Sequence, residues 1–211
     1  MSIIENGPAR AGLIARVQGI LMRPAAEWDV IDGEAATVPG LFTGYACILA
    51  AIPPIALVLQ HLLFLHWTVI PIIVLAALSY VMSLVGVYIM GMIIDALAAS
   101  FDGQKNQVQA MKLAVYPYTA AWVAGILNII PFLGILAALA GLYGLYILYL
   151  GLPKLMKCPT EKAIGYFLVS VVVAIVVNII IGAIIAAITA TLMVGAIAGG
   201  AAALGAGLPL H

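Results

Sequence analysis

Residues 163–189 read AIGYFLVSVVVAIVVNIIIGAIIAAIT, a run of 27 residues without one charged side chain. A helix needs roughly 20 apolar residues to cross the hydrocarbon core of a bilayer. The apolar residues are continuous rather than alternating, which favours a membrane-spanning helix over a strand of a barrel. This stretch alone indicates an integral membrane protein.

The rest of the chain has the same character. The 211 residues are 66% hydrophobic and 8% charged, with a mean hydropathy of +1.25. A soluble domain is usually about 25% charged, so much of this apolar surface must face lipid. We therefore predict an all-α, polytopic integral membrane protein: a bundle of five transmembrane helices preceded by an interfacial amphipathic N-terminal helix.

The predicted organisation has three parts. Residues 1–36 form a cytoplasmic or interfacial N-terminal segment, residues 37–190 the five-helix transmembrane domain, and residues 191–211 an apolar tail rich in Ala and Gly. The predicted spans are about residues 38–60, 68–94, 112–129, 131–150 and 163–189. The uncharged tail could continue the last helix, lie on the outer surface or form a sixth span; five spans are preferred.

The eight Lys and Arg residues are confined to three segments that five spans place on one side of the membrane. They are Arg10, Arg16, Arg23, Lys105, Lys112, Lys154, Lys157 and Lys162. Loops rich in Lys and Arg stay in the cytoplasm. This predicts a multi-pass protein with a cytoplasmic N-terminus and a C-terminus on the opposite side. The net charge of zero gives no basic surface for nucleic acid.

Small residues follow one face of the second and of the fourth predicted span. The stripes contain Ser79, Ser83, Gly86 and Met90, and Gly134, Ala137, Ala138, Gly141 and Gly144. Small side chains let helix backbones approach closely in a membrane. The stripes can serve contacts within one chain or between two copies, so homo-oligomerisation stays open.

No catalytic constellation is visible in the sequence. No Asp, Glu, Lys, Arg or His lies well inside a predicted span, and His61 and His66 lack further ligands for a metal. We therefore expect no enzymatic activity, no catalytic residue, no cofactor and no metal site. If a polar permeation path exists, its candidate residues are Ser83, Tyr116 and Asn178.

After Ala11 the N-terminal segment has an apolar helical stripe with Arg16 toward its flank, and a short turn around Trp28 follows. The simpler interpretation is an anchor at the membrane surface. The alternative is a docking patch for a cytoplasmic protein partner, built on Glu27, Trp28, Asp29 and Asp32.

Two segments resemble bacterial inner-membrane members of the YIP (Ypt-interacting protein) family. Residues 149–163, YLGLPKLMKCPTEKA, are similar to the family's loop after the fourth span, and residues 23–31, RPAAEWDVI, to its segment before the first. The resemblance implies five packed helices in a bacterial inner membrane and a cytoplasmic N-terminus; together with the charge distribution, it predicts a periplasmic C-terminus. It also adds Pro153 and Glu161 to the candidate partner-binding residues.

Eukaryotic members of the family bind small membrane-attached GTPases, but their acidic D-L-Y-G-P-type motif is missing here, so that role is not carried over. The leading hypothesis is a non-enzymatic membrane scaffold or adaptor in contact with lipids and a cytoplasmic protein. The alternative is a transporter or channel for a small molecule, an ion or a lipid.

Overall fold

A computed structural model describes residues 12–65 and 69–206, and within these ranges the chain is helical and has no strand. Four of the described helices are long and apolar enough to cross a membrane. They are Val38–Phe64, Ile70–Phe101, Gly134–Leu155 and Thr160–Thr191. The all-helical class is confirmed for the described part of the chain, and these four helices could span a membrane.

We label the helical segments in chain order. They are α1 (Leu13–Met22), α2 (Pro24–Gly33), α3 (Val38–Phe64), α4 (Val69–Leu97), α5 (Gln107–Val115), α6 (Tyr118–Ala124), α7 (Gly134–Leu155) and α8 (Thr160–Ala206). Within α3 the helix restarts at Ile52, and Pro53 and Pro54 occupy its first turn. Proline has no amide hydrogen, which costs nothing there because amides of the first turn have no carbonyl partner within the helix. The helix then continues four residues beyond the predicted end of the first span at Gln60.

The predicted third span is not one long helix. α5 ends at Val115, Tyr116 and Pro117 form a turn, and α6 is followed by a 3₁₀ segment, Gly125–Ile129. Pro117 has no amide hydrogen and cannot bond the carbonyl of Leu113, so a regular helix cannot pass through it. The five-helix count is therefore not confirmed, since this segment is not among the four long helices.

The ends of α7 and α8 also differ from the predicted spans. α7 begins at Gly134 rather than Pro131, after a turn in which Phe132 has a positive φ of 77°. α8 runs on to Ala206, so residues 191–206 continue the last helix. The predictions that concern Arg10, His66 and residues 207–211 lie outside the described residues.

The interfacial N-terminal helix is not confirmed, because α1 packs onto the bundle. Ile20 is fully buried, whereas Ile14 is 73% exposed. Arg16, expected at the flank of the apolar stripe, is 97% shielded. The side of α1 that faces the bundle thus includes a charged residue. The pattern of apolar residues alone could not show which side of α1 is buried.

The core lies at one end of the bundle, which we call the charged end: α1, α2 and the connections from α4 to α5 and from α7 to α8. Large, fully buried side chains such as Trp28, Met111, Leu152 and Tyr166 concentrate there. In contrast, none of the 18 most apolar consecutive residues of α8 is buried. The charged end is therefore packed like a protein interior, whereas the side chains of α8 beyond this end are not buried by the rest of the protein.

Candidate functional site

Trp28 fixes α2 to the bundle. Its ring is completely buried, and its Nε1 donates a hydrogen bond to the carbonyl of Ile147 in α7 at 2.9 Å. The ring also meets Tyr116 edge to face, with centroids 6.0 Å apart. A Cβ at Gly151 would lie only 2.6 Å from the indole, so the missing side chain makes room for it. Trp28 is therefore an anchor inside the fold and not an exposed part of a docking patch.

Arg16 joins α1 to both ends of α2. Its guanidinium donates to Glu27 at 2.5 Å and to Glu34, and it lies over the ring of Tyr116 at 5.7 Å. The planar fork of Arg suits two carboxylates at once, whereas a Lys offers one compact charge. Glu27, a candidate for partner binding, is thus engaged within the chain.

Lys112 caps the C-terminal end of α2. Its Nζ donates to the carbonyls of Ile31 and Glu34, each at 2.7 Å, and its side chain is almost fully buried. A cation at the C-terminus of a helix satisfies carbonyls that lack intrahelical donors and complements the helix dipole. Lys112 was expected to mark a span boundary, but it also ties α5 to the N-terminal segment.

Ion pairs at the surface complete this attachment. Lys154 binds the carboxylate of Asp29 at 2.5 Å, and Lys157 binds that of Asp32 at 2.5 Å. Asp32 also accepts a hydrogen bond from Gln109 of α5 at 3.1 Å. Two of the candidate partner-binding acids therefore have partners within the chain.

The other two candidates for partner binding lie at the junction of α7 and α8. Pro153 is half-buried inside α7, and Glu161 is exposed in the first turn of α8. Cys158, between these helices, is buried, and burial raises the pKa of its thiol. A raised pKa keeps the thiol protonated at neutral pH, which does not suit a nucleophile or a metal ligand.

The three residues proposed for a polar path do not come together. Tyr116 is buried between the rings of Trp28 and Tyr45. Ser83 accepts a hydrogen bond from Nε1 of Trp122 at 3.2 Å and lines a cavity of about 440 Å³ near Pro53. Asn178 lines a different cavity, so no single path through the described residues contains all three.

The cavity at Asn178 has a volume of about 580 Å³ and lies between α4, the break at Pro117, α7 and α8. Of the side chains that line it, only those of Tyr118 and Asn178 carry polar atoms. Gly141 helps to open it, because a Cβ there would meet nothing within 4 Å. One turn away at Gly144, in contrast, a Cβ would lie 2.7 Å from the carbonyl oxygen of Pro117. Within the small-residue stripe of α7, Gly144 thus packs against Pro117, whereas Gly141 borders open space.

Comparisons with known proteins give one match. The model of the Yip1 domain matches residues 19–181, which extend from α1 into α8. No curated protein and no solved structure matches the chain. The matched range includes both segments on which the resemblance was based, around Trp28 and around Pro153.

Proposed function

The chain belongs to the Yip1 domain family, and from that premise we propose that it is a membrane scaffold or adaptor without enzymatic activity. The observation that carries this proposal is how the charged side chains are used. Arg16 joins the two N-terminal helices to each other, and Lys112 and Lys154 hold α2 against the bundle. A pump or an enzyme needs such groups free to act on a substrate. In this chain they build a fixed platform at one end of the helices.

The platform faces the cytoplasm of a bacterial cell, at the inner membrane. The distribution of Lys and Arg supports this orientation, because positively charged loops remain on the cytoplasmic side. Asp102, just after α4, pairs with Lys162, and Lys154 at the end of α7 pairs with Asp29. α4 and α7 both finish at the charged end. The chain between them must therefore return to the opposite side of the membrane, and residues 107–129 do this as an interrupted helix that adds a fifth crossing to the four long helices. The C-terminus is then periplasmic.

The partner-binding surface is the outward face of α2. Arg23, Ala26, Asp29 and Val30 are exposed there, with Val30 48% exposed. These residues share one side of the helix because they are three or four positions apart. A cytoplasmic protein partner contacts this face, and the buried Trp28 keeps it in a fixed orientation.

Site-specific photo-crosslinking in intact membranes tests the proposal. A photoreactive residue placed at Val30 should give a discrete protein adduct. A photoreactive residue placed at Ala26 should give the same adduct, and adding Val30→Glu to that protein should abolish it. Ile180, 54% exposed on α8, is the matched control and should crosslink to lipid. If Val30 and Ile180 both give only lipid adducts, the adaptor proposal is wrong.

The transport alternative is best supported for apolar cargo. Ser83, Tyr116 and Asn178 lie in separate places, whereas the 580 Å³ cavity is apolar and adjoins lipid-exposed side chains of α8. Ion flux and lipid scrambling by the protein reconstituted in vesicles distinguish the two versions. Scrambling without ion flux would favour a lipid transporter over the adaptor.

A further inference from the structure

We propose that the cavity between α3, α4 and the connection from α6 to α7 is a binding site for a small uncharged molecule that both donates and accepts hydrogen bonds, such as a primary amide or a polyol. This inference goes beyond the scaffold proposal and does not depend on it. It starts from the wall of this cavity of about 440 Å³, where polar side chains without a charge occur among apolar residues. The polar side chains are Gln60, Ser79, Ser83 and Asn128.

The composition of the wall is that of a small-molecule pocket. Such pockets usually have volumes of about 300–1,000 Å³ and combine an apolar lining with a few polar groups that orient the ligand. Within the described residues, no hydrogen bond engages the side-chain amide of Gln60 or of Asn128. An acyl chain in this cavity would leave both amides unpaired, at a cost that a polar molecule removes.

The cavity opens at the end of the bundle opposite the charged end. α7 has 22 residues from Gly134 to Leu155. At 1.5 Å per residue this is about 33 Å, close to the hydrocarbon thickness of roughly 30 Å. Because Leu155 lies at the charged end, Gly134 lies near the other surface of the membrane. Gly134 and Phe132 both line the cavity, and Phe132 is 91% exposed. Water and dissolved molecules can therefore enter there.

Two serines of α4 lie deeper in the cavity. The hydroxyl of Ser79 donates to the carbonyl of Leu75 at 2.8 Å, so its oxygen remains as an acceptor. The hydroxyl of Ser83 accepts from Nε1 of Trp122 at 3.2 Å, and its own hydrogen has no acceptor among the described residues. Residues four apart share one face of a helix. One turn of α4 thus presents both a free acceptor and a free donor.

The proline pair of α3 adds a further acceptor. Pro54 has no amide hydrogen, so the carbonyl of Ala50, four residues earlier, lacks its usual helical donor. Ala50, Pro53 and Pro54 all line the cavity. An interrupted helix is tolerated at membrane depth where it lines a cavity that contains water. The interruption of α3 therefore lies where a bound molecule can donate a hydrogen bond to a backbone carbonyl.

This mixture of groups selects the kind of ligand. The oxygens of Ser79 and Ala50 repel an anion, the free hydrogen of Ser83 repels a cation, and no charged side chain lines the wall to pair with either ion. A neutral molecule with both a donor and an acceptor satisfies both sets of groups. The lining reaches no further toward the charged end than Ala50 in α3 and Ser83 in α4. The cavity is therefore a pocket and not a path across the membrane.

Labelling of a cysteine in the wall tests whether the cavity admits such molecules. The whole chain in lipid nanodiscs carries Leu57→Cys, with Cys47→Ala and Cys158→Ala to remove the native thiols. The reagent is iodoacetamide, a neutral primary amide that reacts with the thiolate, which apolar surroundings suppress. Leu57 lines the cavity, whereas Leu59, nearer the membrane surface and 40% exposed, does not. Leu57→Cys should react several-fold faster than Leu59→Cys, and equal or slower reaction would overturn the proposal.

Protection from labelling tests the preference for a neutral ligand. Acetamide, acetate and ethylammonium are similar in size, but only acetamide is uncharged. At equal concentration and matched ionic strength, acetamide should slow the labelling of Leu57→Cys several-fold, and the two ions should leave it unchanged. If all three compounds slow the reaction equally, or if none does, the cavity holds water without selecting a ligand and the proposal is wrong.

Ser79→Ala tests the hydroxyl groups of the wall. It removes an acceptor at the cost of one hydrogen bond within its own helix, so the fold should persist. Measured against its own unprotected rate, this variant should lose most of the protection by acetamide. Ser100→Ala, at an exposed position outside the cavity, is the matched control and should keep it. Equal protection in both variants would contradict the proposed site. Crosslinking at Val30 is an independent readout, so failure of the adaptor proposal is distinguishable.

Discussion

The two ends of α7 differ in how much of the helix is buried by the rest of the protein. At Leu152 and Leu155 the helix is buried under α2, with Lys154 paired to Asp29 beside them. At Ile135 and Leu139, near its start, the side chains are 70% and 55% exposed. Because lipid is as apolar as these side chains, burying them against protein gains little, and tight contact there depends on shape. Polar groups at the charged end, in contrast, must find partners.

The charged end therefore holds the structure together through interactions that are costly to break, and the opposite end mainly through the fit of apolar side chains. Substitutions of the same type should have unequal effects at the two ends.

Arg16→Ala should destabilise the protein most. It leaves the carboxylates of Glu27 and Glu34 without their cation in a buried site, and breaking a buried pair in this way costs about 3–5 kcal/mol. Thermal unfolding of the purified protein in detergent measures the loss. Arg23→Ala, at an exposed position of the same segment, is the control and should change stability by about 0.5 kcal/mol at most. Equal effects of the two variants would contradict a structural role for Arg16.

Gly144→Ala should come next. Its Cβ would lie 2.7 Å from the carbonyl oxygen of Pro117, so α7 has to move away from the break, at a cost of about 1–3 kcal/mol. Gly141→Ala, one turn earlier in α7, meets nothing within 4 Å and should be neutral or stabilising, because Ala favours helix. The comparison uses unfolding temperatures in the same detergent. A neutral Gly144→Ala would mean that the close approach to Pro117 is not needed.

Trp28→Phe and Trp122→Phe compare two buried tryptophans in different parts of the bundle. The first removes a 2.9 Å hydrogen bond to Ile147 at the charged end, and we expect a loss of about 1–2 kcal/mol. The second removes a longer bond, 3.2 Å, to Ser83 and should cost less. Chemical unfolding of both variants ranks the effects. A larger loss at Trp122 would reverse the proposed distribution of stability.

The exposed pair of Lys154 and Asp29 should contribute about 0.2–1 kcal/mol. A double-mutant cycle with Lys154→Gln and Asp29→Asn measures the coupling between the two side chains. At 1 M salt, screening should nearly abolish it. Coupling of several kcal/mol that persists in salt would place this pair in the buried class together with Arg16.

The smallest effect should appear only at alkaline pH. Burial raises the pKa of the Cys158 thiol, so the folded protein keeps this proton more tightly than the unfolded chain. Its contribution to stability is fully present below the unfolded pKa of about 8.5 and is lost as the pH rises through the raised value. Unfolding temperatures from pH 7 to 10 should fall more in the wild type than in Cys158→Ala. Parallel curves would contradict a raised pKa.

Several features were predictable because they depend on local sequence. Long uncharged runs specify helices and their approximate positions, as for α8, and the Pro53–Pro54 pair marks the restart within α3. The small-residue stripe of α7 was also visible. What the stripe contacts was not, since Gly144 packs on Pro117 while Gly141, three residues earlier, borders a cavity. Both glycines look alike in the sequence.

The roles of single residues in the candidate site were harder to predict. Trp28 looked like part of a surface patch, but its indole reaches into the space above Gly151, which is 123 residues away in the chain. Arg16 looked like the polar flank of an interfacial helix, whereas Glu27 and Glu34 draw it into the interior. Asn178 and Ser83 looked like parts of one path, and the arrangement of helices puts them in different cavities.

A helical membrane protein with its charges in three segments could be predicted from the amino-acid sequence alone, because hydrophobic length and charge act residue by residue on partition into lipid. The arrangement of the helices in space decides which charges are buried, that the chain turns at Pro117 against Gly144, and that a cavity remains beside Gly141. These features depend on which helix faces lie opposite one another. The sequence does not show this, because apolar residues that face lipid and apolar residues that face protein follow the same pattern.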